Sequence, residues 1–364
     1  VRGFVLRLLA LSALLGAVAS LLLPGRHLWH AVPGALGGAL AVAVALLAIW
    51  VPYERTAFEE PRFEGGLARA PAIVSAVERG FDDLDVVRGR VETLAQRLAD
   101  LYAVSAGELP GGVPGETTIL HVSDLHLNPL GAQLVVELAN AFAVDAVLDT
   151  GDVTTFGFTV EAAYGDLLAG VGVPYLLVPG NHDSAVNREQ LAAMDGVTLL
   201  DGDVAEVGEV RILGIGDPTF TASNALSTES ANARKLALAD ETAARVEEAA
   251  PDLLAVHDAR QASQSGGLVP LVVAGHTHER ARSEQDGTLF LTVGSTGATG
   301  LGAFTVDADL AYEAQILRFD GDRLVAVDYL SVEGVGGSFR LERELIDPPA
   351  DDQEREEPSV ADPG

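Results

Sequence analysis

Apolar positions along the chain fall into three patterns, and each predicts a different kind of element. From Phe4 to Leu23 the run carries one charge, Arg7; after Pro24-Gly25-Arg26-His27 a second run, from about Ala31 to Val51, carries none. Neither run has a polar face, and at 1.5 Å per residue each would cross the roughly 30 Å of a bilayer's hydrocarbon. The expectation is a two-helix transmembrane hairpin over 1–51, with Arg7 reaching back to the headgroups and Trp29 and Trp50 as interfacial anchors. Gly34 and Gly38 form a G-x-x-x-G step, a flat face for close helix contact. A cleaved signal peptide would explain the first run but not the second. Arg2, Arg7 and Arg55 at the outer ends, against Arg26 in the connection, favour a two-span cell-membrane protein with its following domain in the cytoplasm.

The second pattern lies in a juxtamembrane linker, 52–115. There Leu84, Val87, Val91, Leu94, Leu98 and Leu101 alternate steps of three and four, a heptad register that predicts a helix over 83–104. Two readings of that helix stay open: an amphipathic helix packed on the domain, or the seam of a homodimer. Glu108-Leu-Pro-Gly-Gly-Val-Pro-Gly115 then breaks the chain and marks a domain boundary.

From Thr117 the pattern changes to short β-rich runs alternating with helical ones. Strands are expected at 117–122, 145–149, 174–178, 252–256, 271–274 and 288–293, and helices at 133–142, near 160–169 and around 230–249. A hairpin, 311–319 and 323–332, closes an α/β domain over 116–346, and 347–364 reads as an acidic disordered tail.

Composition removes several classes. The 364 residues include no cysteine, so disulfide scaffolds and Cys-ligated metals are excluded. With 53 Asp+Glu against 23 Lys+Arg the formal charge is −30, which opposes broad contact with nucleic acid phosphates. Lys235 is the single lysine; its solitude suggests no function.

The chemistry sits at strand ends. Five expected strands finish in Asp124-x-His126, Gly151-Asp152, Gly180-Asn181-His182-Asp183, His257, and Gly275-His276-Thr277-His278. Of eight histidines, His27 and His30 belong to the hairpin and His121 to a strand, while the other five all lie at these ends. Asp-x-His, Gly-Asp and a lone His are commonplace, Gly-Asn-His-Asp is rarer and Gly-His-Thr-His rarer again; together, at the carboxyl ends of strands in an α/β sheet, they read as ligands for divalent metals.

This series resembles the calcineurin-like metallophosphoesterase superfamily over about 115–345. The resemblance implies a β-sandwich flanked by helices and two metal ions. Asp124, His126 and His278 would hold the first, Asn181, His257 and His276 the second, with Asp152 bridging through its two carboxylate oxygens. Mixed nitrogen and oxygen donors suit Mn, Fe or Zn. Two cations about 3.5–4 Å apart can share a hydroxide for in-line attack on phosphorus. His182 would protonate the leaving group, with Asp183 either orienting that imidazole or serving as an ordinary acid at a helix start.

The implied protein is a membrane-anchored dinuclear phosphoester hydrolase, acting on a monoester or diester that a bilayer tether would make attractive as a lipid-derived one. Two alternatives are a metal-stabilised protein-interaction scaffold, opposed by the complete ligand set and His182, and a nuclease, opposed by the charge. Asn128 reads as a loop-capping residue or a neighbour of the first metal. The Gly-rich stretch Gly294–Gly302 reads as a tight turn or a phosphate cradle.

Overall fold

The computed structural model of the chain describes residues 2–22, 28–50, 115–220, 228–298, 300, 311–333 and 339–346. The heptad helix expected over 83–104, with its dimer seam, and the tail 347–364 lie outside the described residues. The chain forms two compact units, Val1–Arg69 and Ala70–Gly364.

In the first unit α1 (Arg2–Leu21) and α2 (Ala31–Trp50) pack as a hairpin. Small residues make the contact. A Cβ on Gly16 would stand 2.1 Å from the Gly34 carbonyl oxygen, and one on Gly38 would stand 2.3 Å from that of Ser12. The Ser20 hydroxyl lies 2.9 Å from the Ala17 carbonyl and 2.7 Å from that of His30, tying α1 to the start of α2.

The expected transmembrane spans are not supported. Among the described residues no helix is long and apolar enough to cross a membrane. Membrane anchoring, the two-span cell-membrane location and the cytoplasmic orientation fall with the spans. So does the reason to favour a lipid-derived substrate.

The second unit is a mixed α/β fold with two sheets. Seven strands form one: β1 (Glu116–Val122), β2 (Ala146–Asp149), β3 (Tyr175–Leu177) and β4 (Val197–Leu199) run parallel, and β11 (Ala311–Asp320), β12 (Arg323–Glu333) and β13 (Phe339–Leu345) extend it antiparallel from the β1 edge. In the other, β6 (Val210–Ile215), β7 (Leu253–Val256), β8 (Leu271–Ala274) and β10 (Thr288–Thr292) are parallel, with β5 (Asp203–Val207) and β9 (Ala281–Gln285) antiparallel at the edges.

Strand alternation sorts the core into layers. Ile119, Leu148, Leu176, Ile212, Leu253, Ala255, Val273 and Leu317 share the buried cluster common to both sheets. Their neighbours Leu120, Val122, Val147 and Leu177 pack instead on α3 (Pro129–Ala141) through Leu134, Val135 and Leu138. Leu254 and Val256 pack on Val246 of α6 (Ala239–Ala249). Strands covered on both faces are apolar throughout, which explains the unbroken runs in the sequence.

The expected helix around 230–249 divides at Leu238 into α5 (Thr228–Ala237), the next helix after α4 (Ala185–Ala192), and α6, and the stretch near 160–169 is wound as a 3-10 helix, Thr159–Val171. Asn128 caps α3, its Oδ1 accepting from the amides of Leu130 (2.9 Å) and Gly131 (3.4 Å) ahead of Pro129.

Candidate metal centre

The loops after β1, β2, β7 and β8 and the turn after β3 converge at the carboxyl ends of the two sheets. Two donor groups result: Asp124, His126 and His278, and Asp152, His257 and His276, each with ligand atoms within 4.8 Å of one another. Five of these six adopt positive φ: Asp124 (56°), His126 (45°), Asp152 (60°), His276 (71°) and His278 (59°). Left-handed backbone is uncommon outside glycine, although Asp and His adopt it more readily than most, and five such residues together mark a locally over-determined site.

Glycines let the turns interlock. Gly151 has φ of 101°, and a Cβ on it would lie 2.3 Å from the Gly180 amide nitrogen; one on Gly180 would lie 2.2 Å from Asp152 Oδ1. The two motifs therefore touch backbone to backbone.

The loop Thr150–Thr155 sets three imidazoles at once. Its carbonyls of Thr150, Thr154 and Thr155 meet Nδ1 of His257 (2.6 Å), His126 (3.2 Å) and His182 (2.6 Å). A carbonyl only accepts, so each Nδ1 carries a proton and each Nε2 is left to face the site. Asp152 lies in the same loop. Its Oδ1 accepts the His182 amide at 2.7 Å, whereas Oδ2 stands 3.6 Å from His126 Nε2 and 3.2 Å from His257 Nε2. One oxygen of Asp152 thus faces a histidine of each donor group.

Asp124 is fully buried. Its Oδ2 accepts the His276 amide at 2.8 Å, and its Oδ1, with no hydrogen bond, lies 3.2 Å from His278 Nε2 and 3.8 Å from His126 Nε2. A buried carboxylate oxygen without a donor beside two imidazoles fits a cation. Electrostatics agree. Burial lowers the His257 pKa, but Asp152 outweighs it and carries the group up to about 10. Burial raises Asp152, but the charge of His257 overrides it and holds the carboxyl well below its usual range. The adjacent Asp124 carboxylate raises His278; burial, then His257 and Lys235, brings His276 down to about 4.

Asn181 is buried in the turn between Gly180 and His182. The His182 ring stands edge-on to His126 at 5.0 Å. Asp183 does not reach that imidazole. Its carboxylate accepts from the amides of Gly180, Asp152 and Thr154 and from the Thr154 hydroxyl, all at 2.9 Å, so it stitches the two glycine turns together. The Gly-rich turn packs against the β1 loop. Amides of Thr296 and Gly297 donate to the carbonyls of Ser123 (2.9 Å) and Asp124 (3.2 Å), which leaves neither for a phosphate.

Sequence reasoning missed a cluster beside His276. Lys235, buried on α5, lies 2.9 Å from Asp217 and 2.8 Å from Asp258, and Arg260 also pairs with Asp258. The one available signal was Lys235 itself, alone of its type in an acidic chain.

The sequence profile of the calcineurin-like phosphoesterase superfamily domain matches residues 118–308, more than half of the chain. Among solved structures, wild-type Vps29 of Entamoeba histolytica complexed with zinc aligns at 19% identity and a TM-score of 0.35, over 63% of this chain and 99% of its own. Vacuolar protein sorting 29 of Cryptosporidium parvum aligns at 20% and 0.36, over 64% and 99%. A novel archaeal phosphodiesterase aligns at 16% and 0.34, over 63% and 100%. No curated protein matches the chain.

Proposed function

The chain belongs to the calcineurin-like phosphoesterase superfamily, and on that premise we propose that it is a metal-dependent phosphoester hydrolase. The observation that carries this reading is Asp152 Oδ2, placed between His126 Nε2 at 3.6 Å and His257 Nε2 at 3.2 Å, one from each donor group. Asp124, His126 and His278 would hold one ion and Asn181, His257 and His276 the other, with Asp152 between them. Manganese, iron or zinc suits these donors, and bound there would supply Lewis-acid charge against a phosphoryl oxygen and acidify an attacking water.

The protein's own groups do the rest. Loop Thr150–Thr155 keeps Nε2 of His126 and His257 turned to the metals by holding each Nδ1 on a carbonyl. His182 has its Nδ1 committed to Thr155, so its Nε2 is the nitrogen that hands a proton to the leaving-group oxygen. Asp183 acts at one remove, by fixing the turn that presents His182.

Hydrolysis of bis-p-nitrophenyl phosphate and p-nitrophenyl phosphate with Mn2+, Zn2+, Fe2+ or Mg2+ tests the reading and separates diesterase from monoesterase. Turnover by the wild type and its loss in Asp152→Ala is the expected result. Wild-type rates equal to that variant on both esters with every metal would overturn it.

A further inference from the structure

His276 is the one imidazole of the two donor groups whose outer nitrogen meets charged side chains on a different loop. Its Nδ1 lies 3.2 Å from His257 Nε2 and so faces the group around Asp152. Its Nε2 lies 3.3 Å from Asp258 Oδ2, 3.2 Å from Arg260 Nη2 and 3.5 Å from Lys235 Nζ. These neighbours demand opposite tautomers. A carboxylate accepts only, and calls for a proton on Nε2, which leaves the Nδ1 lone pair for a ligand. Ammonium and guanidinium donate only, and call for the lone pair on Nε2, which places the proton on Nδ1 and disables it as a ligand.

We propose that Asp258 is the positioning residue for His276, accepting its Nε2–H and thereby keeping Nδ1 free to bind the second metal. Lys235 and Arg260 hold the carboxylate in place. Asp258 Oδ2 accepts from Lys235 Nζ at 2.8 Å, and Oδ1 accepts from the Arg260 amide at 3.0 Å and its Nε at 2.9 Å. Lys235 is anchored on its far side by Asp217 at 2.9 Å, whose other oxygen is occupied by the Thr219 amide (2.8 Å) and hydroxyl (2.6 Å). Lys235, buried at 2% exposure, turns to the carboxylates of Asp258 and Asp217 at shorter distances than to the imidazole, and Arg260 directs its Nε to Asp258. Remove the Asp258 charge, and only donors, Arg260 and Lys235, are left against Nε2, so the tautomer reverses.

This inference rests on the metal-hydrolase reading only in taking His276 as a ligand, and its test uses no turnover. In the full chain labelled with 15N-histidine, long-range 1H–15N spectra report which ring nitrogen of His276 is protonated, without metal and with Zn2+. The wild type is expected to carry the proton on Nε2. Asp258→Asn is expected to move it to Nδ1 in the metal-free protein and to weaken the second Mn2+ equivalent in calorimetry by about 10–100-fold, the first being unchanged. Two results overturn the proposal: an Nδ1–H tautomer in the wild type, or a second-site affinity unaltered in a folded Asp258→Asn protein. The wild-type spectrum decides the point even where the variant fails to fold. A wild type that binds no Mn2+ defeats the hydrolase reading, and the metal-free tautomer still judges this one.

Discussion

Nδ1 of His257 and the carbonyl oxygen of Thr150 meet at 2.6 Å, joining the end of β7 in one sheet to the end of β2 in the other. Thr154 and Thr155, farther along that loop, do the same for His126 and His182. Because the carbonyls belong to the loop that carries Asp152, the shared carboxylate and three imidazoles are oriented by one short segment.

That arrangement makes metal binding a proton-coupled event. Asp152 carries His257 up to about 10, so in the metal-free protein at neutral pH the ring is an imidazolium paired with the carboxylate. A metal must displace the Nε2 proton. Affinity for Mn2+ is therefore expected to rise with pH from 6 to 9, with about one proton released per ion entering the Asp152 group. Calorimetry in buffers of different ionisation enthalpy measures this release; a pH-independent affinity would contradict it.

His182 is expected to matter in proportion to the basicity of the leaving group. His182→Ala should lower kcat by about 100-fold or more on an alkyl ester and much less on a nitrophenyl ester, whose phenolate leaves unassisted. Mn2+ affinity should stay as in the wild type. Equal losses on both esters would argue that His182 does not donate the proton.

Asp183→Ala leaves the amides of Gly180, Asp152 and Thr154 without their acceptor in a buried turn. A loss of about 2–4 kcal/mol in denaturant unfolding is expected. Metal affinity should fall with it, because the displaced turn carries Asn181 and faces Asp152. Unchanged stability with a shifted pH–rate profile would restore Asp183 as a direct partner of His182.

Gly180→Ala places a methyl group 2.3 Å from the Asp152 amide nitrogen and 2.2 Å from its Oδ1. One contact is backbone and the other a carboxylate oxygen held by the His182 amide, so there is little room to yield. The cost should be about 1–3 kcal/mol, with Mn2+ binding weakened in step. A melting temperature and a metal titration on the same sample check both.

Asp149 is buried at the end of β2, where Tyr175 donates to its Oδ2 at 2.5 Å and the Gly151 amide to its Oδ1 at 2.8 Å. Burial pushes its pKa up to about 8, against about 3.9 in the unfolded chain. Between these values the folded state binds a proton that the unfolded state lacks, so this group's contribution falls as pH rises from 4 to 8 and then levels. Asp149→Asn removes the dependence. In metal-free protein, the variant's stability relative to wild type should climb across that window by up to about 1.4 kcal/mol per pH unit. A constant difference would show Asp149 ionised in the fold.

Much of the domain was legible because its requirements are local. A strand buried on both faces must be apolar along its length, and a metal donor must be a particular side chain. The runs ending at Val122, Asp149 and Val256 and the motifs after them therefore stood out without any knowledge of pairing. Apolar length was a poorer guide at the amino terminus. A hydropathic run counts residues, whereas a span demands continuous apolar helix, and the described helices fall short of that.

The sequence by itself determined which residues bear donor groups, their order at strand ends and the family those motifs resemble, because side-chain chemistry is written residue by residue. Tertiary structure alone decided how they are used. Every residue offers a carbonyl, so no pattern could single out Thr150, Thr154 and Thr155 as the acceptors that choose three tautomers. The same holds for Asp183, which reads either as a partner of the adjacent imidazole or as an acid at a helix start until the turn closes its oxygens on three amides. Lys235, Asp258 and His276 are distant along the chain, and meet only because α5 covers the ends of β7 and β8.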